Sequence, residues 1–446
     1  MRLLAGETRI RSDHRRDAPA AAGRHWRLNR VAFAGAPSSE KLPAMRSALC
    51  ACLSIGALLG LIVVAAASAA PPPSDGVVDL LTAANAEIVG PSANARTRTV
   101  GGGGDVNGDG LADVLVGSPE VSAAGRPRAG SVWVLAGRTQ PADVDLAAPG
   151  PLALARIDGA APFDELARFS VAVAGDVNGD GAADILVGAP GADNNGRVGS
   201  GSAYVIFGGA GLSDVDLAAL GASGARIDGA TVGESAGWRV APAGDVNRDG
   251  VADILVDTQR GPGQPSVVYV VFGGVGFASL DLARAGAARA IRIVRQRGTS
   301  AVGGVDGAGD VNGDGFSDLI VDDTAVPRDQ AFVVFGSATP SDVNLAAPAG
   351  RAIRIIGRPD EEIGSVAGAG DVNGDGFDDV AVGAPFGPGA QGGASGAVDV
   401  IRGGARLTDI DLASAGAGHG ADLLVRPADD ADRPPRGRRR RPGRCR

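Results

Sequence analysis

Five copies of one loop sequence, Gly-Asp-Val-Asn-Gly-Asp-Gly-x-x-Asp, constrain this chain more than anything else in it. Counted from the first Asp, the copies begin at Asp105, Asp176, Asp245, Asp310 and Asp371, at intervals of 71, 69, 65 and 61 residues. Position 3 is Asn107, Asn178, Asn247, Asn312 and Asn373, and position 5 is Asp109, Asp180, Asp249, Asp314 and Asp375. Side-chain oxygens at 1, 3 and 5, a glycine at 6 and a carbonyl at 7 let a short loop wrap a Ca²⁺ ion. The glycine permits the positive φ that such a tight turn needs. The carbonyl would come from Leu111, Ala182, Val251, Phe316 and Phe377, and a further acid stands at position 9: Asp113, Asp184, Asp253, Asp318 and Asp379. Oxygen donors without His or Cys select Ca²⁺ over a transition metal. An Asp-Gly hairpin turn is the plainer reading of one copy. It does not require the same acids and Asn five times over.

An EF-hand loop begins alike but ends in an acid at position 12 and runs into a helix. Position 12 here is Val116, Val187, Val256, Val321 and Val382. The residues next in the chain are short apolar runs stopped by Gly and Pro, such as Val-Leu-Val-Gly-Ser-Pro and Ile-Leu-Val-Gly-Ala-Pro. These are buried strands. The EF-hand reading fails.

Each loop and its strand are succeeded by a second apolar run: 131–135, 203–207, 268–272, 331–335 and 397–401. A Gly comes soon after each. Then come a linker with Asp-Val-Asp-Leu (143–146, 214–217) and a further strand (155–159, 225–229, 353–357). A fourth run, such as Phe169 to Val173, precedes each loop. Four short strands at this period predict an all-β chain, a β-propeller of four-stranded blades with Ca-binding hairpin loops. A stacked solenoid is the alternative, with usually shorter repeats. Trp133, Tyr204, Tyr269 and Phe332 are expected between the blades, as core.

Phe/Gly-x-Ser-Val-Ala, then Gly-Asp-Val-Asn-Gly-Asp-Gly-x-x-Asp, then Val-Gly-Ala-Pro resembles the FG-GAP repeat of integrin α-chain propellers and related secreted proteins. The resemblance implies Ca²⁺, about five ions at one per repeat, on one face. It also implies adhesion or protein binding on the opposite face. Departures are Arg248 at position 4 of the third copy, and Asp257-Thr258-Gln259 and Asp322-Asp323-Thr324 where Gly-Ala-Pro is expected. Integrin-type propellers have seven blades, so five full repeats read as an incomplete ring. The linker with its strand occurs six times, from 78–80 with 87–90 to 409–412 with 423–425, against five loops. After 426–430 the sequence turns to Arg, Pro and Gly, as a frameshift in GC-rich DNA would produce. A short ring with a basic tail is the other reading.

The propeller is therefore expected over 70–426. Residues 45–69 read as a signal peptide: Met45-Arg46, an uncharged apolar run and Ala67-Ser68-Ala69 before three prolines. A membrane helix is the alternative, and it would provide the sole membrane contact. Residues 1–44 read as a disordered or mistranslated extension, and 427–446 as a disordered Arg/Pro-rich tail. Residues 47–426 carry 24 basic and 44 acidic groups, a balance that argues against nucleic acid. Cysteine is confined to 50, 52 and 445, so no disulfide framework supports the repeats. Metal can do that work instead.

Within the repeat body the one histidine is His419, in a Gly-rich linker, and no nucleophile stands in a motif with a base. The expected function is a secreted or cell-surface, non-catalytic module that binds a protein or glycan. The alternative is an extracellular hydrolase or lyase with an active site on the propeller axis, built from carboxylates distant in sequence. Converging acids in a deep pocket opposite the loops would favour the enzyme, a shallow face the binder.

Overall fold

A strand buried on one face alternates in polarity, whereas one buried on both is apolar throughout. The runs after the loops are of the second kind, and the computed structural model shows why. It describes residues 86–414 except 141, 261–263, 297–303, 324–327, 360–361 and 386–395. Residues 45–69, read above as a signal peptide, both terminal extensions, His419 and the runs 78–80 and 423–425 lie outside the described residues.

Four sheets have five strands each. In the first, Thr99–Gly102, Val114–Ser118, Ser131–Leu135 and Ala153–Asp158 form an antiparallel meander. The second repeats this with Val171–Gly175, Asp184–Ala189, Ser202–Ile206 and Gly224–Asp228. The third has Val240–Gly244, Asp253–Asp257, Val267–Val271 and Ala290–Val294. The fourth has Val305–Gly309, Asp318–Asp323, Gln330–Val334 and Ala352–Ile356. A fifth sheet holds Ser365–Gly370, Asp379–Ala384 and Ala397–Ile401. The first strands of successive sheets adjoin one another. Four-stranded units side by side about their innermost strands make a β-propeller, as the repeat period predicts.

Within a blade, alternate residues of one strand serve different cores. Ile185 and Val187 join Leu115, Val132 and Ile157 between blades 1 and 2, while Leu186 faces Ile254 and Val256 between blades 2 and 3. The seam between blades 3 and 4 gathers Leu255, Val270, Leu319 and Val321, and that between 4 and 5 gathers Ile320, Val333, Val380 and Val382. Both faces are therefore apolar, and alternation disappears. Tyr204, Tyr269 and Phe332 are buried between blades as expected, whereas Trp133 is buried with Val116 and Leu135 in a cluster of blade 1 residues. Each stands across from a Val of the second strand and an Arg of the fourth: Arg156, Arg226, Arg292 and Arg354.

The Asp-Val-Asp-Leu segments are more than linkers. Val215–Asp216, Leu280–Asp281, Val343–Asn344 and Ile410–Asp411 each pair in parallel with the fourth strand of the preceding blade. Ile88–Val89 pairs with Val144–Asp145 in the same way. Every repeat thus lends its neighbour a fifth strand. The two-residue strands are too short to carry any periodicity in the sequence.

Candidate functional site: five acidic hairpin loops

Every loop joins the first strand of its blade to the second, so all five open at the same end. Blades 2 to 5 share a β-bulge just before the loop, at Gly175, Gly244, Gly309 and Gly370, where φ lies between +66° and +78°. A bulge of this kind bends the strand and aims the loop beyond it.

Inside the loop, the carboxylate at position 1 gathers backbone donors. Asp105 Oδ1 accepts from the N–H of Gly108 at 2.7 Å and of Asp109 at 3.1 Å, and Oδ2 accepts from Gly110 at 2.7 Å. Asp176, Asp310 and Asp371 make the same three bonds, and Asp245 makes the last two. These donors, Gly110 and Gly376 above all, hold the carboxyls of Asp105 and Asp371 below the usual range. At position 3 the Asn oxygen accepts from the N–H of position 5 at 2.8–2.9 Å in the first four loops. Position 5 in turn accepts from the N–H of position 7 in all five.

Position 9 is different. Asp113, Asp184, Asp253, Asp318 and Asp379 are buried, and each bridges two backbone donors. Asp184 Oδ2 accepts from the Val177 N–H at 2.9 Å and Oδ1 from Gly208 at 3.0 Å. The equivalent outer partners are Gly137, Gly273, Gly336 and Gly403. This explains the Gly soon after each third strand. A Cβ on Gly208 would stand 2.1 Å from the Ala183 carbonyl oxygen, and those on Gly137, Gly273, Gly336 and Gly403 only 2.2–2.4 Å from the matching oxygens. The position-9 acid is therefore a strut between loop and blade, a role its sequence position alone did not reveal. Each of its oxygens keeps a second lone pair.

Burial, reinforced by the charges of Asp180 and Asp176, pushes Asp184 up to about 6. Asp253 and Asp318 are pushed up to about 7 by burial and by the acids of their own loops. Acids of one loop thus repel each other, a cost that a cation between them would relieve. Among the described residues no three acidic, imidazole or thiol side chains stand at metal-ligand spacing. In every loop the carboxylates are turned onto N–H groups. Carboxylate, amide and peptide oxygens are the donor chemistry of a hard cation, and positions 1, 3, 5 and 9 with the carbonyl of 7 would be its donors.

Successive loops are also tied together. The carbonyl of position 1 in one loop accepts from the N–H of position 8 in the next: Ala252 to Asp176 at 3.0 Å, Ser317 to Asp245 at 3.0 Å, and Asp378 to Asp310 at 3.2 Å. Position 2 accepts from a residue just beyond the next blade's third strand, as Gly209 to Val106 at 2.8 Å and Gly274 to Val177 at 2.9 Å.

At the opposite end, three bidentate ion pairs lock the lent strands. Arg126 grips Asp216, Arg197 grips Asp281 and Arg328 grips Asp411. Each Arg lies between the second and third strands of its own blade, and each Asp is in the strand lent to that blade. The partners are 83–90 residues apart, and no local signal connects them.

The described residues contain no His and no Cys. A hollow of about 550 Å³ beside Tyr269, Leu282 and Ala290 has Arg292 and Asp342 as its charged groups, and these pair with each other.

A family model described as FG-GAP repeat matches residues 97–135, 167–206 and 363–401. Those stretches run from the first strand through the loop to the third strand of blades 1, 2 and 5. Phosphatidylinositol-glycan-specific phospholipase D of Bos taurus is 30% identical over 188 residues, which is 40% of this chain and 20% of that protein. The Homo sapiens protein of that name is 30% identical over 179 residues, 38% and 20% of the two chains. The Mus musculus one is 37% identical over 108 residues, 23% and 12%. The matches span a fifth or less of these relatives.

Proposed function

We propose that this chain of FG-GAP repeats, folded as a β-propeller, is a calcium-stabilised, non-catalytic binding module that works outside the cell on a protein or glycan. The observation that carries the reading is the fivefold recurrence of one loop geometry. Five times, oxygen-bearing side chains recur at the same end of a blade, held by nearly the same N–H bonds and the same buried strut. Bound calcium would supply positive charge to each loop. The chain's own residues do the rest: position 1 organises the turn, position 9 anchors it to the blade, and the glycines admit the close approach.

The extracellular setting rests on the signal-like segment at 45–69 and on loops whose donor sets suit millimolar calcium. The phospholipase activity named in the relatives belongs to proteins of which this chain matches a fifth or less, and the proposal carries over the module, not that activity.

Calorimetric titration of the purified protein with CaCl₂, beside melts with and without EDTA, tests this. With loop affinities of about 10⁻⁴–10⁻³ M, 10 mM calcium adds roughly 1.4–2.7 kcal/mol of stability per occupied loop. Asp109→Ala removes one site and lowers the melting temperature mainly through its own blade and the next. Absence of calcium uptake together with a melt indifferent to EDTA rejects the proposal.

A further inference from the structure

Position 4 of the loop takes a left-handed backbone. Gly108, Gly179, Gly313 and Gly374 occupy it with φ between +74° and +80°, but in the third loop it is Arg248, at φ +60°. A non-glycine residue there is strained, and such strain persists where the side chain is used. The Arg248 side chain leaves its own loop and lies on the fourth. Its guanidinium carbon is 5.8 Å from the centre of the Phe316 ring. Its Nη1 is 2.7 Å from where a Cβ on Gly315 would stand. The guanidinium therefore covers the peptides between Asp314 and Phe316, positions 5 and 7 of the fourth donor set. No described carboxylate stands within ion-pair distance of it, so its charge is not cancelled by a salt bridge there. The two loops cannot drift apart easily, because Ser317 N–H donates to the Asp245 carbonyl at 3.0 Å and Ser337 N–H to the Val246 carbonyl at 3.0 Å. In addition the Asp245 N–H donates to Ser317 Oγ at 3.1 Å.

We infer that Arg248 is an affinity-setting residue for the neighbouring loop: it holds a positive charge against the fourth cation site and lowers the calcium affinity of 310–318. The inference rests on the calcium reading above. Between loops 4 and 5, the corresponding contact is uncharged: a Cβ on Gly313 would stand 2.5 Å from the Phe377 ring. The same side-by-side seating thus occurs with and without the cation; at the loop 4–5 seating the Asp378 carboxylate accepts from the Asp310 N–H at 2.8 Å, where the loop 3–4 seating has the neutral Ser317 hydroxyl. A unit charge beside a divalent ion's loop, screened by solvent and salt, alters affinity by roughly three- to tenfold.

The test is a calcium titration of the full chain by calorimetry, at low and at physiological salt. In Arg248→Gly one site tightens three- to tenfold and the gain shrinks as salt rises, while Arg248→Lys keeps the wild-type isotherm. In the Asp314→Ala background the Arg248→Gly gain disappears, which assigns it to the fourth loop. Calcium uptake with an isotherm unchanged in Arg248→Gly overturns the inference and leaves the calcium reading standing. A gain that survives Asp314→Ala places the effect elsewhere and likewise overturns it. No uptake by any variant removes both readings.

Discussion

Two seams of the propeller are closed by opposite means. The position just after the recurrent Val of the second strand is Gly117, Gly188 and Gly383 in blades 1, 2 and 5, but Asp257 and Asp322 in blades 3 and 4. Between blades 2 and 3 the chains meet backbone to backbone. A Cβ on Gly188 would stand 2.0 Å from the Gly237 carbonyl oxygen. Between blades 3 and 4 the gap is filled by Arg295, fully buried, with Nη1 2.5 Å from Asp257 Oδ1 and Nη2 2.9 Å from Asp322 Oδ1. Its Nε also donates to the Asp322 carbonyl at 2.7 Å. Asp257 and Asp322 hold the guanidinium charged against the cost of burial. Where Gly-Ala-Pro is lost, the fold substitutes a buried ion cluster for close packing. The departures from the repeat at 257–259 and 322–324 are thus one compensated change, tied together by an Arg that lies outside the motif.

Removing the cation should separate the two seams most sharply. Arg295→Ala leaves Asp257 and Asp322 facing one another without their shared guanidinium, and costs about 3–5 kcal/mol in urea unfolding. A loss below about 1 kcal/mol, the range of an exposed pair, would mean that the cluster is not what closes this seam. On the glycine side, Gly188→Ala forces a methyl against a carbonyl and costs about 1–3 kcal/mol by the same measurement. Unchanged stability there would show that the blades separate freely.

The charged seam should also respond to pH, and the glycine seam should not. Burial pushes Asp322 up to about 6, with the Arg295 and Arg239 charges opposing and Asp257 and Asp323 reinforcing. Its carboxyl binds a proton more tightly folded than unfolded, so stability is greatest when it is protonated and falls as pH rises from about 4 to about 6. One proton corresponds to at most about 1.4 kcal/mol per pH unit in that window. Melting temperatures of wild type and Asp322→Asn, measured across it, should diverge by that slope; parallel curves would remove the carboxyl from the account.

The smallest effect belongs to the part-buried clamps at the end opposite the loops. Arg197→Ala frees the end of the strand lent to blade 2 and costs about 0.2–1 kcal/mol, as expected for a partly exposed pair. Blade 3 already lives without this clamp, since Asn344 stands where Asp216, Asp281 and Asp411 carry the charge. If Arg197→Ala proved as damaging as Arg295→Ala, the ordering of the two seams would be reversed.

Much of this molecule was legible before any coordinates. Repetition pointed to the propeller, because a four-stranded unit recurring at this period is longer than the usual solenoid repeat and suits a blade. The strands after the loops were placed within a residue or so, since a run of β-branched residues bounded by Gly has few other solutions. The turn inside each loop was legible for the same reason: the glycine at position 6 takes a φ between +87° and +92° in all five.

What the sequence by itself determined was local, namely the strands, the turns and the chemistry inside each loop. Only the tertiary structure decided which distant groups meet. It turned Val215–Asp216 and its equivalents from linkers into strands of the preceding blade, and it brought Arg126 to Asp216 across 90 residues. It buried Arg295 between Asp257 and Asp322, laid Arg248 over the fourth loop and gave the position-9 acids a structural partner in a Gly just beyond the third strand. Propensity and period act over a few residues, whereas these contacts are set by how one blade leans on the next, a relation that no short stretch of chain contains.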